Sequence, residues 1–194
     1  MNYCSHCGAK VSLRIPAGDH LPRYICDNCH TIHYQNPKLV IGSIPEWEDR
    51  VLLCRRAIEP RHGFWTLPAG FMENSETTLQ AAARETFEEA LAEVEIGALY
   101  TLYNVPHISQ VHLFFRARLL QPSFGAGAES LEVRLFAEKD MPWDEIAFAS
   151  VRRTLRLYFA ERKSGVFGFH LDDIHPTPDR LALHHGDNKR NFVE

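Results

Sequence analysis

Three glutamates, Glu85, Glu88 and Glu89, lie within five consecutive positions of a segment whose composition favours a helix. The segment 74–92 is rich in alanine, glutamate and leucine, and Asn74 or Ser75 could cap its amino terminus. With about 100° of rotation per residue, the three glutamates fall on one side of this helix. The opposite side carries the residues expected to face the core: Leu79, Ala82, Ala83, Thr86 and Ala90. The pattern predicts a helix with one core face and one carboxylate face.

Like charges at this spacing destabilise a helix, so the carboxylate face needs an explanation. The pairs Glu85–Glu88 and Glu85–Glu89 each cost about 0.2–0.5 kcal/mol. Arg84 offsets part of this cost through Glu88, and a divalent cation would offset more, because Mg²⁺ and Mn²⁺ prefer clustered oxygen ligands. Helix geometry alone leaves two interpretations open, a solvated charged surface and a metal site.

The second chemical pattern is a set of four cysteines, Cys4, Cys7, Cys26 and Cys29, arranged as two C-x-x-C pairs with eighteen residues between them. This spacing is typical of two knuckles that close four thiolates around Zn²⁺, and such a site has no open coordination position. A disulfide framework is the alternative, but nothing in the sequence indicates secretion. We therefore predict a structural zinc site. Cys54 lies in an apolar run and is expected to be a buried, inert thiol.

Length and charge limit the possible classes of protein. The chain has 194 residues, is 45% hydrophobic and carries a formal net charge of −4. It can therefore form one main domain with a small accessory module, and it has no overall attraction to nucleic acid or to an anionic membrane. No membrane span or signal peptide is visible, so we expect a cytoplasmic protein.

Hydrophobic patterning predicts an α/β or α+β domain after the cysteine module. Strands are expected in the apolar and alternating segments 38–44, 50–56, 64–70, 98–105, 109–120 and 131–137, the first two forming a hairpin. A closing helix over 151–163 should bury one side, formed by Val151, Leu155, Tyr158 and Phe159. The predicted organisation is a zinc ribbon at 1–35, a main domain at 36–163 and a loosely packed tail at 164–194.

The wider spacing around the glutamates resembles the signature of the Nudix hydrolases. Gly70 is followed after five residues by Glu76, and after seven more by the run Arg84-Glu85-Thr86-Phe87-Glu88-Glu89. Two positions depart from the signature: Thr86 stands where an aliphatic residue is usual, and Leu91 where a glycine is usual. Neither departure removes a carboxylate. The resemblance implies a Nudix α/β/α sandwich with a mixed sheet.

The resemblance also implies an enzyme that hydrolyses the diphosphate of a nucleoside diphosphate linked to another group. The carbonyl of Ala69 or Gly70 and the carboxylates of Glu85, Glu88 and Glu89 would hold Mg²⁺ or Mn²⁺, and Arg84 would orient the glutamates. The group that accepts the proton of the attacking water stays open between Glu88 or Glu89 and the loop residues Glu129 or Glu132.

A longer resemblance narrows the substrate. Positions 4–163 are similar to zinc-ribbon Nudix proteins that include plant FAD diphosphatases, which implies FAD or ADP-ribose as the substrate and AMP as a product. NADH diphosphatases are the nearest alternative, but their Ser-Gln-Pro-Trp-Pro-Phe-Pro element is absent from the region 103–119. Candidates for holding phosphate are Arg55, Arg56 and Arg61, and candidates for stacking on a ring are Trp65, Tyr103 and Phe114.

Two further classes stay open: a nucleotide-sensing regulator without catalysis, and a hydrolase of RNA ends. The intact glutamates argue against the first, and the few basic residues around the knuckles argue against the second. By analogy with relatives that act on ADP-ribose, we expect a homodimer that binds a small dinucleotide.

Overall fold

The computed structural model describes residues 1–175 and divides the chain into two compact units, Met1–Pro37 and the segment from Lys38 onward. The boundary predicted after residue 35 lies next to this division. Among the described residues, no helix combines the length and apolar character that crossing a membrane requires.

The first unit is a small antiparallel sheet. Its strands, in spatial order, are β1 (Val11–Arg14), β2 (Arg23–Cys26) and β3 (Ile32–His33). A sheet of this size buries little apolar surface, so it depends on a further constraint to stay folded. Both cysteine pairs lie at the same end of this sheet, where β1 begins and β2 ends.

The second unit is built on a mixed sheet. Its strands are β4 (Lys38–Trp47), β5 (Arg50–Arg56), β6 (Trp65–Thr66), β7 (Ala69–Phe71), β8 (Val94–Val105), β9 (Gln110–Leu119), β10 (Ser130–Ala137) and β11 (His170–Asp173). The main path runs β10-β5-β4-β9-β8-β11, with β6 beside β5 and β7 beside β4. The pairs β4–β9 and β8–β11 are parallel, and the other pairs are antiparallel. The predicted hairpin of the first two strands is confirmed, with its turn at Glu48 and Asp49.

Two helices, α1 (Thr78–Ala90) and α2 (Ala149–Arg162), cover opposite faces of this sheet. Alternate residues of β4 show the division: Ile41 packs in a cluster with Ala82 of α1, whereas Ile44 packs in a cluster with Leu155 of α2. The four residues of α2 predicted to face the core are all buried: Val151, Leu155, Tyr158 and Phe159. The α/β/α sandwich expected from the sequence is confirmed.

The segment after α2 differs from the loosely packed tail that was predicted. Residues 170–173 form β11, which pairs in parallel with Thr101–Asn104 of β8. Phe167 stacks on Tyr158, with ring centroids 5.7 Å apart. Hydrophobic patterning could not predict this packing, because the few apolar residues involved have partners far away in the chain. Residues 176–194 of the predicted tail lie outside the described residues.

Half-buried His112 on β9 makes the stability of the second unit sensitive to acid. Its Nδ1 lies 2.9 Å from Ser150 Oγ and its Nε2 lies 2.9 Å from Gln110 Oε1. Burial lowers the pKa of His112 to about 4, below its value near 6.5 in an unfolded chain. Between these values the unfolded state binds the proton and the folded state does not, so stability falls as the pH falls.

We expect the free energy of unfolding to decrease by about 3 kcal/mol from this group as the pH falls from 7 to 4, measured by urea denaturation. A His112→Gln variant should show a shallower slope, whereas the same substitution at exposed His107 should leave the slope unchanged. Equal slopes for wild type and His112→Gln would show that another group titrates.

Candidate active site

Strand β7 brings a backbone turn against the carboxylates of α1. A Cβ atom added to Gly70 would lie 2.6 Å from Glu85 Oε1, so this position accepts no larger residue while that carboxylate stays in place. The N–H of Ala69 donates to Glu89 Oε2 at 3.4 Å. The backbone of Ala69 and Gly70 and the side chains of Glu85 and Glu89 therefore face one another.

Arg84 connects the acidic residues of the signature into one network. Its Nε and Nη2 donate to the two carboxylate oxygens of Glu76 at 3.0 and 2.7 Å. Its Nη1 donates to Glu85 Oε1 at 2.7 Å and to Glu88 Oε2 at 3.0 Å, and its Nη2 also donates to the carbonyl of Phe71 at 3.2 Å. Two parallel bonds to Glu76 fix the plane of the guanidinium. Arg84 is thereby fixed in contact with Glu85 and Glu88.

Two of the three glutamates are buried. Glu85 is 8% exposed and Glu89 is 7% exposed. Burial raises the pKa of Glu89 to about 8, and the charge of Glu85 adds to this effect. Burial also raises the pKa of Glu85. The hydrogen bonds from Arg84 lower the pKa of Glu76 to about 2, with help from the N–H of Glu73.

These carboxylates fit a divalent cation. One arginine stands among four glutamates, so the cluster would carry excess negative charge if all four were ionised, and ionised Glu85 and Glu89 would need a cation because both are buried. Carboxylate oxygens and backbone carbonyls are the donors that Mg²⁺ and Mn²⁺ take.

The helix differs from the prediction in two respects. Thr77, not Asn74 or Ser75, caps α1, through a capping box with Gln80: the Gln80 N–H donates to Thr77 Oγ1 at 3.2 Å and the Thr77 N–H to Gln80 Oε1 at 2.8 Å. The buried face consists of Ala81, Ala82, Glu85, Thr86, Glu89 and Ala90, whereas Leu79 is 48% exposed. The predicted solvent-facing carboxylate side is wrong for Glu85 and Glu89.

The end of the helix is closed by the loop 120–129. Leu91 adopts the left-handed conformation that the usual glycine would take, with φ of 47°. The N–H groups of Gly125 and Gly127 donate to the carbonyls of Ala90 and Glu89 at 2.8 and 3.1 Å, which satisfies two acceptors left free by the end of the helix. The same loop carries Glu129.

Glu129 and Glu132, the two candidate bases of this region, have different surroundings. Glu129 is exposed, and its charge raises the pKa of both Glu85 and Glu89. Glu132 follows an irregularity in β10 and lies 3.8 Å from Arg55 Nη1. The structure therefore associates Glu129 with the acidic cluster and Glu132 with an arginine.

The three candidate arginines also differ. Arg56 is the one whose charge lowers the pKa of Glu89, and its Nε donates to the carbonyl of Pro60 at 2.9 Å. Arg55 donates to the carbonyl of Gly63 at 2.8 Å, and the guanidinium of Arg61 lies 5.4 Å from the centre of the Phe64 ring. Arg56 is the best placed of the three to meet an anion bound at the glutamates.

The stacking roles predicted for three aromatic residues are contradicted by burial. Trp65 is 5% exposed and packs edge to face on Phe136 at 4.8 Å, and Tyr103 and Phe114 are buried as well. The sequence did not single out Phe71, which follows Gly70 directly and is 46% exposed, with Lys38 Nζ 4.5 Å from its ring centre. Its position directly after Gly70 was the feature of the sequence that could have identified it as a candidate site residue.

In the first unit, the four predicted zinc ligands are brought together. The sulfur atoms of Cys4, Cys7, Cys26 and Cys29 all lie within 4.8 Å of one another. The distances Cys4–Cys29 and Cys7–Cys26 are 3.7 and 3.4 Å, close to the roughly 3.8 Å edge of a tetrahedron with Zn–S bonds of about 2.3 Å. The N–H groups of His6 and Asn28 point at the sulfurs of Cys4 and Cys26. The donor set fits zinc.

Two family models match the chain, one in each of its two units. A family model described as "Nudix N-terminal", a zinc ribbon, matches residues 2–35, and the NUDIX domain model matches residues 38–157. The chain belongs to the Nudix family. A solved Nudix hydrolase from Nitrosomonas europaea is 61% identical, with a TM-score of 0.88, covering 91% of this chain and all of that one. This chain is a Nudix hydrolase with an amino-terminal zinc ribbon.

Two curated Nudix relatives have more specific names. The ADP-ribose pyrophosphatase of Methanocaldococcus jannaschii is 27% identical over 56% of this chain and 67% of its own length. The NAD-capped RNA hydrolase NudC of Photobacterium profundum is 33% identical over 68% of this chain but 44% of its own length. The match spans less than half of that NudC, so the hydrolysis of NAD-capped RNA that its name describes is said of that protein alone.

Proposed function

We propose that this Nudix hydrolase cleaves the diphosphate bond of a nucleoside diphosphate linked to a second group, in the presence of Mg²⁺ or Mn²⁺. The observation that carries the proposal is the buried pair Glu85 and Glu89, which faces the backbone of Gly70 and carries pKa values raised by burial. Such a pair has little structural value without a cation and an anionic ligand.

The metal would be held by the carboxylates of Glu85, Glu88 and Glu89 and by the carbonyl of Ala69 or Gly70. When bound, it neutralises the diphosphate, polarises phosphorus and lowers the pKa of water. Arg84 keeps the carboxylates in place, and Arg56 binds a phosphate oxygen. Water attacks one phosphorus, the bond to the bridging oxygen breaks, and two phosphate monoesters leave.

Glu129 is proposed as the acceptor of the proton from the attacking water. It is exposed and electrostatically coupled to Glu85 and Glu89, whereas Glu132 is engaged by Arg55. A base must reach the water from the substrate side, where an exposed loop residue can move. This assignment selects Glu129 from the four glutamates that the sequence leaves open.

We expect Glu129→Gln to lower kcat by about 10²-fold or more and Glu132→Gln to change it by less than about threefold. The measurement is AMP release at saturating substrate. A larger loss in Glu132→Gln would reverse the assignment.

For the substrate, we propose ADP-ribose or FAD, with AMP as one product and ribose 5-phosphate or FMN as the other. The curated ADP-ribose pyrophosphatase supports the first, and the similarity to plant FAD diphosphatases supports the second. Phe71, exposed beside Gly70, offers a flat surface for the group beyond the diphosphate. The relatives named NudC make an NAD-linked substrate the second candidate.

The test is a panel of ADP-ribose, FAD, NADH and NAD-capped RNA, each with Mg²⁺ and with Mn²⁺. A kcat/KM at least tenfold higher for ADP-ribose or FAD would support the proposal, and preferred turnover of NADH or capped RNA would replace it with the second candidate. Binding of ADP-ribose without turnover of any compound would assign the protein to the nucleotide sensors.

A further inference from the structure

A cavity lined by arginines lies on the other face of the sheet from the carboxylates. A cavity of about 400 Å³ opens at the carboxyl ends of the parallel strands β4 and β9. Three arginines line it, Arg116, Arg118 and Arg162, together with Trp47 and Phe167. These residues belong to the end of β4, to β9, to the end of α2 and to the segment before β11.

Contacts within the fold hold the arginines at this place. Glu46 accepts from Arg116 Nη2 at 3.1 Å and also from the hydroxyl of Tyr158. The guanidinium of Arg116 lies 3.5 Å from the centre of the Phe167 ring, and Phe167 also stacks on Tyr158. The Phe167 ring therefore lies between Arg116 and Tyr158. Arg162 donates to the carbonyl of Glu48 and to the Tyr158 hydroxyl. The cavity is therefore shaped by side chains that are already ordered.

The arginines of this cavity have N–H donors that contacts among residues 1–175 leave unused. Arg116 has five N–H donors, yet among residues 1–175 it makes one side-chain hydrogen bond, and its Nε is buried without an acceptor. Arg118 makes one, to Glu95 at 2.6 Å, and Arg162 makes two. Glu46 and Glu48 are the acidic lining residues, and Glu48 is also bound by Arg50 at 3.2 Å.

We infer that this cavity binds a phosphate monoester of about mononucleotide size. A phosphate monoester carries close to two negative charges near pH 7 and three acceptor oxygens, which matches a group of arginines better than a single carboxylate does. The volume lies within the range of about 300–1,000 Å³ usual for small-molecule sites. Trp47 and the edge of the Phe167 ring, whose two faces contact Arg116 and Tyr158, supply the apolar lining for the organic part of the ligand.

The proposed function does not include this site, because the catalytic glutamates lie on α1, which covers the opposite face. The ligand would contact Arg162 at the end of α2 and Phe167 near β11. Its binding would therefore stabilise the packing of residues 164–173 on the sheet, and it would not require a metal.

The test is calorimetric titration of the full chain with AMP, ribose 5-phosphate and inorganic phosphate, without added Mg²⁺ or Mn²⁺. We expect saturable binding of AMP or ribose 5-phosphate at least about tenfold tighter than inorganic phosphate, because the cavity also contacts the organic part. Equal affinities for all three probes, or no saturable binding at millimolar concentration, would overturn the inference.

Four variants locate the binding. Arg116→Gln and Arg162→Gln should each weaken it at least about tenfold, through loss of charge-assisted bonds. Arg156→Gln, an exposed position of α2 outside the cavity, should leave it within about twofold, and so should Glu89→Gln in the catalytic cluster. Binding lost in Glu89→Gln and kept in Arg116→Gln would place the ligand at the catalytic site and overturn the inference.

Arg116 also contacts Glu46, so thermal melting must show that its variant is folded. If Arg116→Gln does not fold, Arg118→Gln serves instead, because that side chain is exposed and pairs only with exposed Glu95 among the described residues. We expect at least a threefold loss of affinity from Arg118→Gln, and unchanged affinity in both it and Arg162→Gln would overturn the inference.

Discussion

Glu89→Gln is expected to lower kcat by about 10³-fold or more while the protein keeps its fold. The carboxylate is a proposed metal ligand, and a catalytic metal contributes several kcal/mol of transition-state stabilisation. Each loss of about 1.4 kcal/mol lowers the rate about tenfold. The amide oxygen of glutamine can still accept the hydrogen bond from the N–H of Ala69. Because burial raises the pKa of Glu89 to about 8, the metal-free protein already holds a neutral group there near pH 7.

Activity and thermal stability together distinguish a catalytic role of Glu89 from a structural one. We expect the melting temperature of metal-free Glu89→Gln to equal or exceed that of the wild type, since the variant removes a buried acid, while AMP release is lost. Glu93→Gln is the matched control, with the same chemical change at an exposed position just beyond α1. It should keep full turnover. Near-normal turnover by Glu89→Gln would show that the cluster is not the catalytic centre.

The sequence predicted the arrangement of the acidic cluster better than its surroundings. Gly70, Glu76 and the run from Arg84 to Glu89 are close in sequence, so one strand, one turn and one helix determine their relative positions. The structure shows why each residue type is needed: Gly70 leaves room for the Glu85 carboxylate, and Glu76 binds the guanidinium of Arg84. Local spacing is enough to specify such a network.

The burial of Glu85 and Glu89 could not be predicted from the helix alone. A helical projection assigns apolar residues to the core, but here β7 and the loop 120–129 cover part of the charged side. These contacts join positions far apart in the chain, such as Gly127 and Glu89. The start of α1 differs from the prediction because Thr77, which follows Glu76, forms the capping box with Gln80, while Glu76 itself binds Arg84.

The substrate side of the site was the least predictable. Arg56 and Arg61 are close in sequence, yet the charge of Arg56 reaches Glu89, whereas Arg61 turns toward Phe64. Trp65 was chosen for its ring, but its place on β6 buries it against Phe136. Which aromatic ring of a strand faces solvent depends on strand register, and a single sequence gives little information on register.

Cys26→Ser is expected to release zinc and unfold the first unit, while the second unit stays folded. Cys26 is fully buried, and its sulfur accepts bonds from the N–H groups of Asn28 and Cys29. A unit of this size depends on the metal, whose binding contributes about 10–16 kcal/mol in comparable peptides. We expect zinc content to fall from about one per chain to near zero, and residues 1–37 to become sensitive to protease.

The matched control is Cys54→Ser, the same change at a buried cysteine of the second unit. It should leave the zinc content unchanged, although it can lower the melting temperature of that unit, because Cys54 packs beside Leu52 and Ala90. In Cys26→Ser, the melting of the second unit should stay within a few degrees of the wild type, since the strands of its sheet all lie after residue 37. Full zinc content in Cys26→Ser, or loss of both units together, would contradict a ribbon that folds around its own metal.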